Sequence, residues 1–415
     1  MKSTMTLIFI GLLILLLAES ARASLRVSPY FTLVEEYTDN LFLSADDEQS
    51  DWMTTAQPGI GLVYDTLALE LDVDYSLKLR YYKDYQEGNE TALSDIQRSD
   101  INALLFPERA FRVYLDGGIS QVSIDERDPG VEESELLNAT NLYKLTANPQ
   151  YLWELSNNFS ITFDYFYRIS EYESNFGDDT SSHEYSLLLD RKIAESTDLL
   201  LRYSFLDHQA NFYRNFELQT LTLGLAHRLS SRMVVEADAG SVLFHYDNGV
   251  EKRNTTGKGR LSYLLSRALT LSISYIRDYA VSVSRGLIQR ENTAASLIYS
   301  GRTTIEGKVY FSDEKFLEDE ALSDNETRDK ILGAILSFKM PLMGHVYIEG
   351  FCNYKNLNYL PVDEKIDRYA IGSAIGYAFN KLDVSLGYTF RVNESNIDVN
   401  DYKNNLVTLQ GSLRY

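Results

Sequence analysis

Along residues 67–81 every odd position is apolar or aromatic: Leu67, Leu69, Leu71, Val73, Tyr75, Leu77, Leu79 and Tyr81. The even positions hold Ala68, Glu70, Asp72, Asp74, Ser76, Lys78 and Arg80. Successive side chains of a strand point to opposite faces, so this segment reads as one strand with a greasy face and a charged face. A helix would mix the two sets around its circumference. The pattern returns at residues 159–169, 269–275 and 382–392, and about twenty such segments follow residue 23.

The joints between segments alternate in length. Short ones are Asp65-Thr66, Pro107-Glu108-Arg109, Ala194-Glu195-Ser196, Ser230-Ser231, Ser266-Arg267, Gly301-Arg302, Met340-Pro341 and Asn380-Lys381. The intervening ones are longer and acidic, as at residues 38–51, 125–135 and 313–329. Tight turns on one rim and long loops on the other are the habit of membrane barrels, with the short turns periplasmic. The pattern predicts an all-β fold, a transmembrane antiparallel up-and-down β-barrel of 18–20 strands, with both termini in the periplasm.

The beginning of the chain supports that compartment. Lys2 precedes an apolar run over residues 7–18, and Ala21-Arg22-Ala23 supplies a small-x-small cleavage pattern. Twelve apolar residues are too few for a membrane-spanning helix, which takes roughly 20. Residues 1–23 therefore read as a signal peptide and residues 24–415 as one outer-membrane barrel domain. No solenoid-length repeat or linker divides the latter.

Composition narrows the function. Thirty-nine basic residues stand against 60 acidic ones, a net charge of −21. Nucleic acid, which demands a basic surface, is excluded as a partner. Cys352 is the single cysteine, so no internal disulfide forms. Thirty tyrosines against two tryptophans suit a membrane interface, where the ring sits in the apolar zone and the hydroxyl among headgroups, and they equally suit strands. At the end of the chain Val407, Leu409, Gly411, Leu413 and Tyr415 alternate. A terminal aromatic on such a strand resembles the signal read by the barrel assembly machinery, here with Tyr in place of the commoner Phe. Outer-membrane lipid and lipopolysaccharide are the remaining expected partners.

The opening of the mature chain reads Pro29-Tyr30-Phe31-Thr32-Leu33-Val34-Glu35-Glu36-Tyr37-Thr38-Asp39-Asn40-Leu41-Phe42-Leu43, followed by Ser50-Asp51-Trp52-Met53-Thr54-Thr55-Ala56-Gln57-Pro58-Gly59-Ile60. It resembles the opening of the putative β-barrel porin 2 family of Gram-negative outer-membrane proteins. There a strand ending in Tyr-x-Asp-Asn-apolar-Phe precedes an acidic loop and a Pro-Gly strand. The resemblance implies an outer-membrane location. It also suggests polysaccharide export components as partners, since members often accompany exopolysaccharide systems. It brings no catalytic residues.

If the apolar face meets lipid, the other face lines the interior. The expected lumen residues are Glu70, Asp72, Asp74, Lys78 and Arg80 on the first run, Asp164 and Arg168 on the second, and Asp383 and Arg391 near the end. Both signs are present, as in water-filled barrels with a transverse field, although an acid-rich interior would favour cations or neutral sugars over an anionic polymer; the alternative is a lumen closed by inward loops or salt bridges, in which these residues are structural. No cofactor and no metal are expected. The motifs of metalloproteases, Gly-x-Ser-x-Gly hydrolases and phosphate-binding loops are missing. The reading is a non-enzymatic channel for passive solute passage or surface polysaccharide export. Two alternatives are a rim hydrolase using His183 beside Asp178-Asp179, and an adhesive barrel working through its acidic loops.

Overall fold

The structure, a computed structural model, describes residues 24–415 apart from 126–127, 130–132, 135, 176, 284–285 and 318–327. The expected signal peptide and much of the acidic stretches at 125–135 and 313–329 lie outside the described residues. Twenty-one strand segments make up the fold. The first half comprises β1 (Ser24–Thr38), β2 (Asp51–Asp65), β3 (Leu69–Leu77), β4 (Leu79–Tyr82), β5 (Gln97–Leu105), β6 (Phe111–Ser123), β7 (Ala139–Ser156), β8 (Phe159–Tyr172), β9 (Thr180–Ala194) and β10 (Thr197–Ala210). The second comprises β11 (Phe216–Ser230), β12 (Met233–Tyr246), β13 (Glu251–Ser266), β14 (Leu269–Ser282), β15 (Gly286–Ser300), β16 (Thr304–Phe316), β17 (Arg328–Pro341), β18 (Val346–Tyr359), β19 (Glu364–Phe379), β20 (Leu382–Ser395) and β21 (Tyr402–Arg414).

Segments pair antiparallel with their sequence neighbours, except that β3 and β4 both pair with β2 and β3 pairs with β5, and β1 pairs with β21 from Tyr30↔Arg414 to Thr38↔Leu406. The sheet is therefore closed and leaves no free edge. Segments β3 and β4 lie end to end beside β2, so the 21 segments form a wall of 20 staves. The alternating run at 67–81 is thus not one strand. It breaks at Lys78, whose N–H donates to the Ile96 carbonyl at 2.6 Å, and the ladder with β5 ends at Leu77↔Gln97. Beyond the break the chain after β4 turns back, bridging Arg80 to Glu90. A second boundary also moves: β17 runs through Pro341, and its turn occupies residues 342–345 rather than Met340-Pro341.

Turn chemistry explains the tight rim. Between β19 and β20 only Asn380 and Lys381 remain, and Asn380 takes φ 56°, a left-handed conformation that Asn tolerates. Ser24 and Tyr415, the two ends of the described chain, lie on this short-turn rim, because β1 leaves it and β21 returns to it.

Residues directly opposite in an antiparallel ladder share a face. Followed around the closed wall, the register yields two self-consistent faces. One carries Leu33 on β1, Ile371 and Ile375 on β19, Leu386 on β20 and Leu409 on β21, all large, apolar and exposed. It also carries aromatic pairs towards the long-loop rim, Tyr37–Trp52 at 5.2 Å and Tyr354–Tyr369 at 5.1 Å, with Tyr165–Tyr185 at 5.0 Å midway along the wall, while near the opposite rim it holds a second aromatic pair at 6.3 Å.

 That second pair is Tyr377 and Phe379 on β19. An apolar belt bounded by two aromatic girdles is the exterior of a membrane-spanning barrel. The other face is polar and encloses the interior. Closure of this kind predicts heat-modifiable migration: unboiled protein runs faster than boiled protein on a denaturing gel, and equal mobility would contradict a closed wall.

Candidate functional site: a lumen divided by an inward connection

Twenty staves enclose a wide interior, since 16–18 strands already leave an aqueous channel. Into it projects the connection between β6 and β7, of which residues 124–125, 128–129, 133–134 and 136–138 are described. Its base is closed locally. Ile124 N–H donates to the Asn138 carbonyl at 3.1 Å, Asp125 N–H donates to Asn138 Oδ1 at 2.7 Å, and Asn138 Nδ2 donates to the Pro129 carbonyl at 3.2 Å. From there the chain reaches across the lumen. The Glu133 carboxylate meets Arg368 of β19 at 3.3 Å and accepts the Tyr402 hydroxyl of β21 at 3.3 Å. Arg391 of β20 donates to the Glu133 carbonyl at 2.8 Å.

The clamp is buried on both sides, with the Arg368 side chain 7% exposed and that of Glu133 15%. Arg368 is held in place because its Nε donates to Asn393 Oδ1 at 2.8 Å. A charged pair taken out of water holds only if its geometry is satisfied, and three wall residues converge here on one residue of the connection. Loss of one partner leaves a buried charge behind.

Glu133 borders two cavities. One lies towards the closure seam and is lined by Glu36, Lys78, Arg80 and Arg391. The other faces β15–β19 and is lined by Asp128, Arg290, Glu314, Lys355 and Arg368. The connection therefore partitions the lumen. Its own Asp128 and Glu133 confront cations on the wall, so a field runs across the passage rather than along it. The seam is pinned as well: Asn404 Nδ2 donates to Thr38 Oγ1 at 2.6 Å and to the Asn40 carbonyl at 2.9 Å, which draws the first connection onto the closure of the barrel.

The residues expected in the lumen fall as follows. Glu70, Asp72 and Asp74 share a face with Asp65, Val63 and Gly61 of β2, and Asp74 accepts the Tyr30 hydroxyl at 2.6 Å. Asp164 accepts Gln150 Nε2 at 2.7 Å, Arg168 pairs with Glu184 at 2.8 Å, and Asp383 accepts the Tyr347 hydroxyl at 2.9 Å. These six are spread around the wall. Lys78, Arg80 and Arg391 are instead brought to one cavity, and Arg80 also meets Glu90 at 3.6 Å. The cations at this level offset the acid-rich interior that the sequence suggested.

The clamp residues Glu133, Arg368 and Tyr402 were not legible in the sequence. Arg368 and Tyr402 sit in alternating strands like many others, and no pattern marks Glu133 as the residue of its acidic connection that turns inward. His183 goes the other way. It shares the outer face with Tyr165 and Tyr167, bonded to the Tyr165 hydroxyl at 2.7 Å and stacked on Tyr167 at 4.9 Å. Asp178 is buried instead in a loop contact, accepting the N–H groups of Asn211, Phe212 and Tyr213. No rim hydrolase site assembles from these two residues.

Neither a protein-family model nor a curated protein sequence matches the chain. Solved structures do. The FrpB iron transporter from Neisseria meningitidis, in its apoprotein form, aligns with TM-score 0.54 and 10% identity over 94% of this chain and 81% of its own. The siderophore receptor PirA from Pseudomonas aeruginosa aligns with TM-score 0.51 and 12% identity over 94% and 81%. This chain has the transmembrane β-barrel fold. A BenF-like porin from Pseudomonas fluorescens aligns at TM-score 0.44 and 9% identity over 94% of this chain and 99% of that one. At these identities the likeness speaks for the fold, and the β-barrel porin 2 family stays a resemblance carried by the N-terminal block.

Proposed function

We propose that the chain is a passive channel of the Gram-negative outer membrane, with the long-loop rim outside and both termini in the periplasm. The observation that carries this reading is the Glu133 clamp. A barrel whose lumen served only as a structural core would fill it with packed side chains. Here one connection spans the interior and leaves charged cavities on either side. That is a constriction: it narrows the passage, sets a transverse field and requires no chemistry.

Reconstitution into planar bilayers tests the reading. Purified barrel is expected to give reproducible conductance steps, and their absence would overturn it. Charge at the clamp adds a second prediction. Arg391→Glu is expected to shift the reversal potential in a salt gradient towards cations, because it exchanges a wall cation beside Glu36 for an anion. An unchanged reversal potential would place the conducting path elsewhere. Export of a surface polysaccharide is the more specific form of the same proposal. It calls for partners that deliver the polymer, and the finding of polysaccharide synthesis and export genes beside the gene for this chain would favour it over general diffusion.

A further inference from the structure

Four lumen-facing rings lie flat over glycines of a neighbouring strand, where an added Cβ would run into the ring: Tyr30 over Gly59, Tyr310 over Gly333, Tyr347 over Gly376 and Phe351 over Gly372. Three of them have a cation above the ring. Arg414 stands 5.9 Å from the centre of Tyr30, Lys308 stands 5.4 Å from Tyr310, and Lys339 stands 4.1 Å from Tyr347. Phe351 differs. Among the described residues no cation stands over it, and it has no hydroxyl of its own.

Phe351 borders a third cavity, of about 440 Å³, in the half of the lumen nearer the short turns. Most of its surroundings are small and uncharged, and its charged lining is Glu306, Lys339 and Glu349. Ser337 is its register partner on β17, Thr389 Oγ1 adjoins the same glycine, and Ser385, Thr408 and Gln410 complete the wall. Lys339 is paired with Glu349 at 3.0 Å, which leaves the Glu306 carboxylate as the net charge of the lining. Thr408 and Gln410 also line the seam-side cavity beside Glu133, so the two cavities adjoin along β21.

A bare ring face ringed by hydroxyls and an amide selects for a particular chemistry. An anion is repelled by the Glu306 carboxylate, which can instead accept hydroxyl hydrogens from a neutral polar ligand. A hydrocarbon would desolvate the Ser337 and Thr389 hydroxyls and the Glu306 carboxylate with nothing in exchange. A pyranose satisfies both halves, because its C–H face is apolar and carries partial positive charge towards the ring quadrupole while its rim donates and accepts hydrogen bonds. We infer that Phe351 is the stacking platform of a saccharide subsite in the lumen, taking an uncharged sugar ring of a linear glycan. The subsite rests on the channel reading above, since it lies on the path below the constriction.

The test uses the intact barrel in planar bilayers with maltohexaose as probe. Transient current blockades are expected for the natural protein. Their mean duration is expected to fall about fivefold in Phe351→Ala, to be kept in Phe351→Tyr, and to stay unchanged in Tyr310→Ala on another stretch of wall. An open channel that maltohexaose never blocks, or blockades of equal length in Phe351→Ala, overturns the subsite and leaves the channel standing. Blockade by benzoate in place of maltohexaose overturns the sugar assignment. If no conductance appears the channel reading fails, and saturation-transfer NMR of maltohexaose with the detergent-solubilised barrel decides the subsite: a signal lost in Phe351→Ala supports it, and no signal in the natural protein removes it.

Discussion

Excision of residues 126–136, with a short glycine-serine link in their place, raises the single-channel conductance about two- to threefold, because the only described segment held across the lumen is gone while the wall keeps its ladders. The strands on either side, β6 and β7, pair from Phe111↔Tyr151 to Ser123↔Ala139 without help from the connection, so the barrel still closes. Glu133→Ala is the graded version. It removes the ion pair with Arg368 and the contact with Tyr402 but leaves the backbone carbonyl to Arg391, and it therefore raises conductance less than excision and adds fluctuation between levels. Single-channel recording of the three proteins checks the order. Equal conductance in all three would mean that the connection does not narrow the path.

The second large effect separates two adjacent residues. Leu386→Arg places a charge in the apolar belt, where such a substitution costs about 2–4 kcal/mol near the membrane midplane. Ser385→Arg places the same charge in the lumen, opposite Gly376 and Gln410. Urea titration in lipid vesicles is expected to show strong destabilisation and loss of the heat-modifiable form for Leu386→Arg, against a change of less than about 1 kcal/mol for Ser385→Arg. Equal losses would mean that the two faces do not see different solvents. The comparison is demanding because the residues share one strand and one substitution, so only the direction of the side chain differs.

Period-two patterning made the wall legible. The run Leu382, Val384, Leu386, Tyr388 needs only strand geometry and an apolar solvent on one side to fix both secondary structure and orientation. Turn residues such as Asn380 made the short rim legible for a similarly local reason. The break at Lys78 was not, because apolar and polar residues keep alternating through it, and the ladder with β5 stops there because the segment opposite leaves the strand into the short helix Leu93–Ile96. The clamp was hidden more deeply. Which acid of a connection points inward depends on where Arg368, Arg391 and Tyr402 stand across the barrel, and these lie more than two hundred residues further along the chain. Local pattern supplies the parity of a side chain and says nothing about what faces it across an open interior. For the same reason the bare face of Phe351 was invisible: its distinction from Tyr347, four residues earlier on the same strand and face, lies in where the Lys339 ammonium comes to rest.

Alternating solvent access along a single stave tests the orientation of the two faces most directly. With Cys352, which lies on the outer face, replaced by serine, single cysteines are placed in turn at Val384, Ser385, Leu386, Gly387, Tyr388 and Thr389 in vesicle-reconstituted protein. Cysteines at 385, 387 and 389 are expected to react with a charged, water-soluble thiol reagent, and those at 384, 386 and 388 to resist it while a fluorophore attached there is quenched by brominated acyl chains. Uniform reactivity along the six positions, or quenching at the odd ones, would contradict a barrel with its apolar side in lipid and its polar side around water.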